Sequence, residues 1–253
     1  MRAYELIKET FFRRSYIWIV HVVWLALYGS FWWLLLPEGN EFGRFILIWG
    51  GFLLPLALSA GIFGDDISSG RICVLMTKPF WSGQLYLYRL AGLSLQAAVH
   101  LLLAGGLVLV LHAGMHKGRI DNLGSWLFAS WLLFNTCAAL STSLSVVVGR
   151  AYNSLLLLVT AATGYFILTL LLACLGSQAS MGVALGFIRY AWPPFELLSR
   201  FAGGDFGRYS LTVGRLGLTE STACVMHSFM LTAVYSVAGI VLLGTREFSR
   251  VRD

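Results

Sequence analysis

The chain has 253 residues, of which 58% are hydrophobic and only 12% charged, and its mean hydropathy is +0.76. Soluble domains carry about 25% charged residues, and several apolar runs here reach the length of about 20 residues that a helix needs to cross a bilayer, so a soluble globular chain is excluded. The formal charge of +6 does not indicate a nucleic-acid partner, because Lys and Arg fall in short loops and at the termini, not on one basic face.

Read in chain order, the sequence describes a single transmembrane domain over 1–253, an all-α polytopic membrane protein with six spans. Residues 1–15 put Tyr4, Ile7 and Phe11 on one helical face and Glu5, Lys8, Glu9 and Arg13 elsewhere. That pattern predicts an amphipathic helix lying in the interface against membrane lipid; the competing reading is a polar, frayed terminus. Spans are expected at 16–36 and 45–63, a charged interlude fills 64–89, and further spans follow at 90–113, 123–148 and 154–175. A long segment over 176–222 precedes the last span, 223–243, within a final stretch of 223–253. None of the six spans holds Asp, Glu, Lys or Arg.

With an even number of spans the termini share one side. The ends and even-numbered loops of that side carry eleven Lys and Arg, against three (Arg44, Lys117 and Arg119) in the short loops of the other. By the positive-inside rule both termini and 64–89 are cytoplasmic. Residues 176–222 are then extracytoplasmic. The Pro193, Pro194 pair breaks any helix there, Trp192 and Phe195 suit an interface, and Phe195, Leu198 and Ala202 recur at helical spacing. Short re-entrant or interfacial helices are expected.

The polar content of the spans narrows the chemistry. Ion-driven carriers usually mark their pathway with an intramembrane carboxylate, and the spans offer only His21, Gln96, His100, Asn135, His227 and hydroxyls, each able to bond to a neighbouring helix. No HExxH or GxSxG occurs, and the adjacent Asp65 and Asp66 diverge on a helix, so they cannot act as an acid/base pair. GxxxxGK[ST] is missing, and none of the three lysines follows a glycine, so ATP hydrolysis has to come from another chain. His112, Met115 and His116 could offer soft metal ligands if the helix continues through Gly114; the alternative is polar capping at the membrane surface, and no metal is assigned. The four cysteines are isolated and indicate neither disulfides nor zinc. Ser141, Ser145 and Gly149 form a small-residue stripe for close helix approach, within the subunit or between subunits.

The interlude carries a resemblance. Asp66, three residues, Gly70, then "RICVLMTKP" ending at Pro79, and Arg89 at the entry to the third span, is similar to the loop between spans two and three of type-2 permeases of ATP-binding cassette transporters. The topology matches over nearly the whole chain. The sequence departs from the family with Asp66 where Glu is usual, Arg71 where Thr is usual, and "SGQ" where Ser-Arg is frequent. The resemblance implies an export permease forming half of a translocation pathway, paired with a second permease subunit as a homodimer or heterodimer in a bacterial inner membrane. It also implies two copies of a cytoplasmic ATPase carrying ATP and Mg. Asp65, Asp66, Ile67, Gly70, Arg71, Ile72, Leu75, Met76, Lys78 and Pro79 would form the coupling helix, with the apolar members as an anchor and the charges as a rim. The rival reading is a non-transporting scaffold or sensor that recruits a cytoplasmic partner, or a solvated loop that satisfies its own charges.

Overall fold

The computed structural model describes residues 3–12, 15–35, 39–76, 81–115, 122–149, 152–159, 193–204 and 220–246, and among these no strand occurs. The elements are α1 (Ala3–Phe12), α2 (Ser15–Leu35), α3 (Gly39–Ile46), a π-helical stretch (Leu47–Leu53), α4 (Leu54–Leu58), α5 (Ile62–Ser68), α6 (Arg71–Met76), α7 (Ser82–Met115), α8 (Leu123–Ser145), α9 (Phe195–Gly203) and α10 (Glu220–Thr245); residues 152–159 are also helical.

Four runs are long and apolar enough to cross a membrane: Glu41–Ser68, Ser82–Gly114, Leu123–Ser145 and Ser221–Thr245. They coincide with the second, third, fourth and sixth expected spans. The first expected span is α2, whose apolar stretch, Trp18–Leu34, is shorter. It is apolar all round and exposes Ile19, Val22, Trp33 and Leu34, as a helix facing lipid does. Of the fifth expected span only 154–159 lies among the described residues.

α8 is the hub, with α10, the π-helical stretch, α7, α9 and α4 all packed on it. Lipid tails are as apolar as leucine, so burying leucine between spans gains little by transfer, and close backbone approach with polar ties decides which helices stay together. The small-residue stripe on α8 does this within the chain. A Cβ added at Gly64 would sit 3.3 Å from the Ser145 carbonyl oxygen and 3.4 Å from that of Val148, and Phe63 N donates to Ser145 Oγ at 3.3 Å. Thus α5 lies along the end of α8, while Asn153 Nδ2 donates to the Ser141 carbonyl at 2.8 Å.

At the opposite end of α8, Trp126 is 1% exposed and fills the space left by Gly43, where a Cβ would fall 2.2 Å from its ring. The helix expected after the Pro193, Pro194 pair is α9, with both prolines, Leu198 and Ala202 buried. It packs on α8 and α3 and closes this end; Trp192 lies outside the described residues.

Candidate functional site

The interlude is far less loop than its composition predicts. α5 ends where Ser69 Oγ donates to the Asp65 carbonyl at 2.6 Å, and Gly70 turns the chain at φ 68. A left-handed residue that ends one helix and starts the next favours glycine, which accounts for Gly70 four positions after Asp66. α6 follows at once, and α7 absorbs 82–89 as its first two turns.

The burial of these residues differs from expectation. Ile67, Ile72 and Leu75 are buried in this chain's own core together with Leu6, Phe63, Tyr86 and Leu90, and Met76 packs against them half-buried. They do not form the outward anchor that the sequence predicted. Among the described residues of the interlude, the most exposed apolar side chains are Val74 and Trp81, each 60% exposed, with Leu87 at 45%. Asp65 is partly exposed; Lys78 and Pro79 lie outside the described residues.

Asp66 faces inward as well, and it meets Arg89, both side chains being wholly buried. Arg89 Nη2 donates to Asp66 Oδ2 at 3.2 Å and Nη1 to Thr10 Oγ1 at 2.9 Å. Glu9 Oε1 accepts from Arg89 Nη1 at 3.3 Å and from Arg71 Nη2 at 2.5 Å, and Arg71 Nε lies 4.0 Å from Asp66 Oδ1. Two guanidiniums and two carboxylates thus form a neutral cluster that grades outward from Arg89 to Arg71, whose side chain is 44% exposed. A buried charge is tolerated when it is paired and hydrogen-bonded, and here α1, α5, α6 and α7 each supply one member.

α1 reaches this cluster because Gly92 lets it approach: a Cβ there would lie 2.7 Å from Thr10 Cβ and 3.0 Å from the Ile7 carbonyl oxygen. Leu6 and Thr10 are its buried residues. Of the expected interfacial face, Tyr4 is exposed while Ile7 and Phe11 are half-buried. The helix therefore has two faces, and composition had displayed only the outer one.

A second tie lies just beyond. Tyr86 Oη donates to the Ala139 carbonyl at 2.8 Å and lies 2.9 Å from Ser143 Oγ, which itself donates to the Tyr235 carbonyl at 2.6 Å. It joins α7, α8 and α10. Tyr86→Phe is expected to lower stability by about 1 kcal/mol, measured as an earlier thermal unfolding transition in detergent, with the Ser143 to Tyr235 bond keeping the loss that small.

Deeper in the bundle, Gln96 and His100 follow Arg89 on one face of α7, at spacings of seven and four residues. Gln96 Nε2 lies 3.0 Å from His21 Nε2, and His21 Nδ1 lies 2.9 Å from His100 Nδ1. Sequence reading had treated these three residues as separately satisfied. At the far end of α7, which does continue through Gly114, the His112 ring lies 6.0 Å from that of Trp32; His116 and the Met115 side chain lie outside the described residues. Among the described residues, no group of three or more His, Cys, Asp or Glu side chains could hold a metal ion.

Among the described residues the protein is helical without strands, and several of its apolar helices fit a multi-pass membrane protein. Comparison with protein-family models and with curated proteins finds no match.

Proposed function

We propose that the chain is the permease subunit of an ATP-binding cassette exporter. It has six spans, places both termini in the cytoplasm of a bacterial cell, and completes its translocation pathway with a second permease subunit. Two copies of a separate ATPase, which carry the ATP and Mg, drive it. The cluster of Glu9, Asp66, Arg71 and Arg89 carries the reading. An ATPase closing on nucleotide has to move spans by pressing on a short cytoplasmic segment, and a pliable loop would absorb that motion. Here α6 follows α5 directly after the Gly70 turn; Arg71 of α6 pairs with Glu9 of α1 at the surface, and the buried Asp66–Arg89 pair ties α5 to the first turns of α7. A displacement of α6 is therefore delivered to a span and to the interfacial helix together.

The exposed members, Val74, Trp81 and Arg71, supply the apolar anchor and the polar rim for the ATPase, in place of the buried Ile67, Ile72 and Leu75. Purification of the chain from its native membrane in mild detergent tests this. An ATPase is expected to co-elute with the wild type. The double variant Val74→Asp/Trp81→Asp should lose it by about tenfold or more, the cost of removing a well-packed anchor, while the chain itself still elutes as a single symmetric peak. A chain that elutes alone, or with partners that hydrolyse nothing, overturns the permease reading and leaves a non-transporting scaffold or sensor subunit in its place.

A further inference from the structure

With the Gln96 amide nitrogen facing His21, the contacts of Gln96, His21 and His100 support one arrangement of their protons. An amide nitrogen can only donate, so His21 accepts through Nε2 and carries its own proton on Nδ1. The 2.9 Å contact between the two Nδ1 atoms then requires that His21 donates and His100 accepts. His100 in turn keeps its proton on Nε2. All three residues are buried, Gln96 at 3% and His100 at 1% exposure. Three polar atoms remain without a hydrogen-bond partner around them: Gln96 Oε1, His100 Nε2 and Tyr28 Oη. Buried polar atoms of this kind are costly; these three are among ten in the described residues, and they are drawn together by the contacts of His100 with His21 and Tyr28 and of His21 with Gln96.

The surroundings select what that is. His21 touches the Trp18 ring edge-on at 6.1 Å between centroids, and His100 has Tyr28 at 5.7 Å. The π-helical stretch brings Trp49 and Gly50 alongside, where a Cβ on Gly50 would lie 3.0 Å from Tyr28 Oη. π-helical turns inside spans are often found at functional sites. The groups found in contact with the pair are Trp18 and Tyr28 from α2 and Gln96 from α7; none is a carboxylate or a permanent cation. The nearest charge along α7 is Arg89, seven positions before Gln96. No anionic ligand is present to balance a divalent metal, and two imidazoles do not complete its coordination. A single positive charge shared by two hydrogen-bonded imidazoles asks for less compensation than a divalent ion does.

We propose that His21, His100 and Gln96 form a binding site for one proton. The proton, delivered from water, adds to His21 Nε2, whose lone pair is at present engaged by the Gln96 amide. The amide rotates so that its unpartnered Oε1 accepts the new N–H, and the Nδ1 to Nδ1 bond survives. The pair becomes an imidazolium sharing its charge with a neutral imidazole, and the Gln96 amide exchanges its N–H bond to a neutral ring for a charge-assisted bond to Oε1. A second proton could bind only by breaking the bond between the histidines and driving α2 from α7, so occupancy stops at one. This inference stands apart from the permease reading, because it needs no ATPase.

The test uses the full chain in lipid nanodiscs, without any partner, with its histidine side chains labelled with nitrogen-15. Nuclear magnetic resonance follows the ring nitrogens from pH 8.5 to 4.5, with His21→Asn used only to assign signals. The wild type should show a scalar coupling between the two Nδ1 atoms that persists while one proton is taken up. Gln96→Met keeps the side-chain length but removes the acceptor, and should bind the proton about tenfold more weakly, one pH unit in the titration. If the wild-type pair takes up no proton in this range, or loses the coupling with the first proton, the site is not a proton site. Equal titration of Gln96→Met and wild type would also overturn it, since Gln96 would then play no part.

Discussion

Arg89→Met is expected to be the most damaging single substitution in the described part of the chain. It takes from the wholly buried Asp66 carboxylate the nearer of its two guanidiniums, leaving Arg71 Nε at 4.0 Å, and takes Arg89 from Glu9, so the cluster changes from neutral to a net charge of −1. Removing one partner of a buried pair costs about 3–5 kcal/mol, because the remaining charge is stranded without water. The expected result is loss of the monodisperse peak in size-exclusion chromatography, or a thermal transition lowered far more than in Tyr86→Phe. The double variant Asp66→Leu/Arg89→Met separates charge from packing. It leaves Glu9 and Arg71 as a neutral pair with 2.5 Å between their nearest atoms, and replaces a buried ion pair by apolar side chains, which is often neutral or stabilising. Its stability should recover most of the loss. Its response to an ATPase should not, because the polar link from α5 to α7 is gone. A double variant as unstable as Arg89→Met would mean that the contacts of the guanidinium with Thr10 and Glu9 matter more than its pairing with Asp66.

Legibility in the sequence followed the range of the interactions. Apolar runs and turn residues are local signals, and they located α2, α8, α9 and α10 within a few residues. Gly70 offered a local signal too, but the sequence reading put it inside one coupling helix, whereas it turns the chain between α5 and α6. The cluster was not readable, because its partners are remote: Arg89 is 80 positions from Glu9 and 23 from Asp66. In a loop count Arg89 is one more solvated cation. Helical spacing placed Ile72 and Leu75 on a common face, yet spacing cannot tell whether a face meets a partner or its own core. The same limit applied to α1, where attention to Tyr4, Ile7 and Phe11 passed over Leu6 and Thr10, the residues that bind it to α7. One local signal was available and unused. Arg89, Gln96 and His100 fall on one face of a long apolar helix at heptad-like spacing, and polar groups aligned along a span imply polar partners along its neighbour.

Gly92→Leu should release α1 from the bundle, and this tests whether the interfacial helix is clamped or merely adsorbed to the membrane. The first side-chain atom would already lie 3.0 Å from the Ile7 carbonyl oxygen and 2.7 Å from Thr10 Cβ. A flexible side chain could swing aside, but the carbonyl belongs to the backbone of α1 and cannot yield unless the whole helix lifts. Overpacking alone costs about 1–3 kcal/mol. Lifting α1 would also take Glu9 and Thr10 away from Arg89, so the two losses compound rather than substitute for each other. Cysteine accessibility reads the outcome directly. A cysteine replacing the wholly buried Leu6 should resist a water-soluble maleimide with Gly92 present and react with it in the Gly92→Leu background. Tyr4→Cys, at a position 70% exposed, should react in both and so controls for access of the reagent. Gly92→Ala, whose methyl group meets the same carbonyl without the bulk beyond it, should fall between. If Leu6→Cys stays protected in the Gly92→Leu background, α1 is held by forces other than its close approach to α7, and the cluster cannot pass motion from α6 to the interfacial helix by that route.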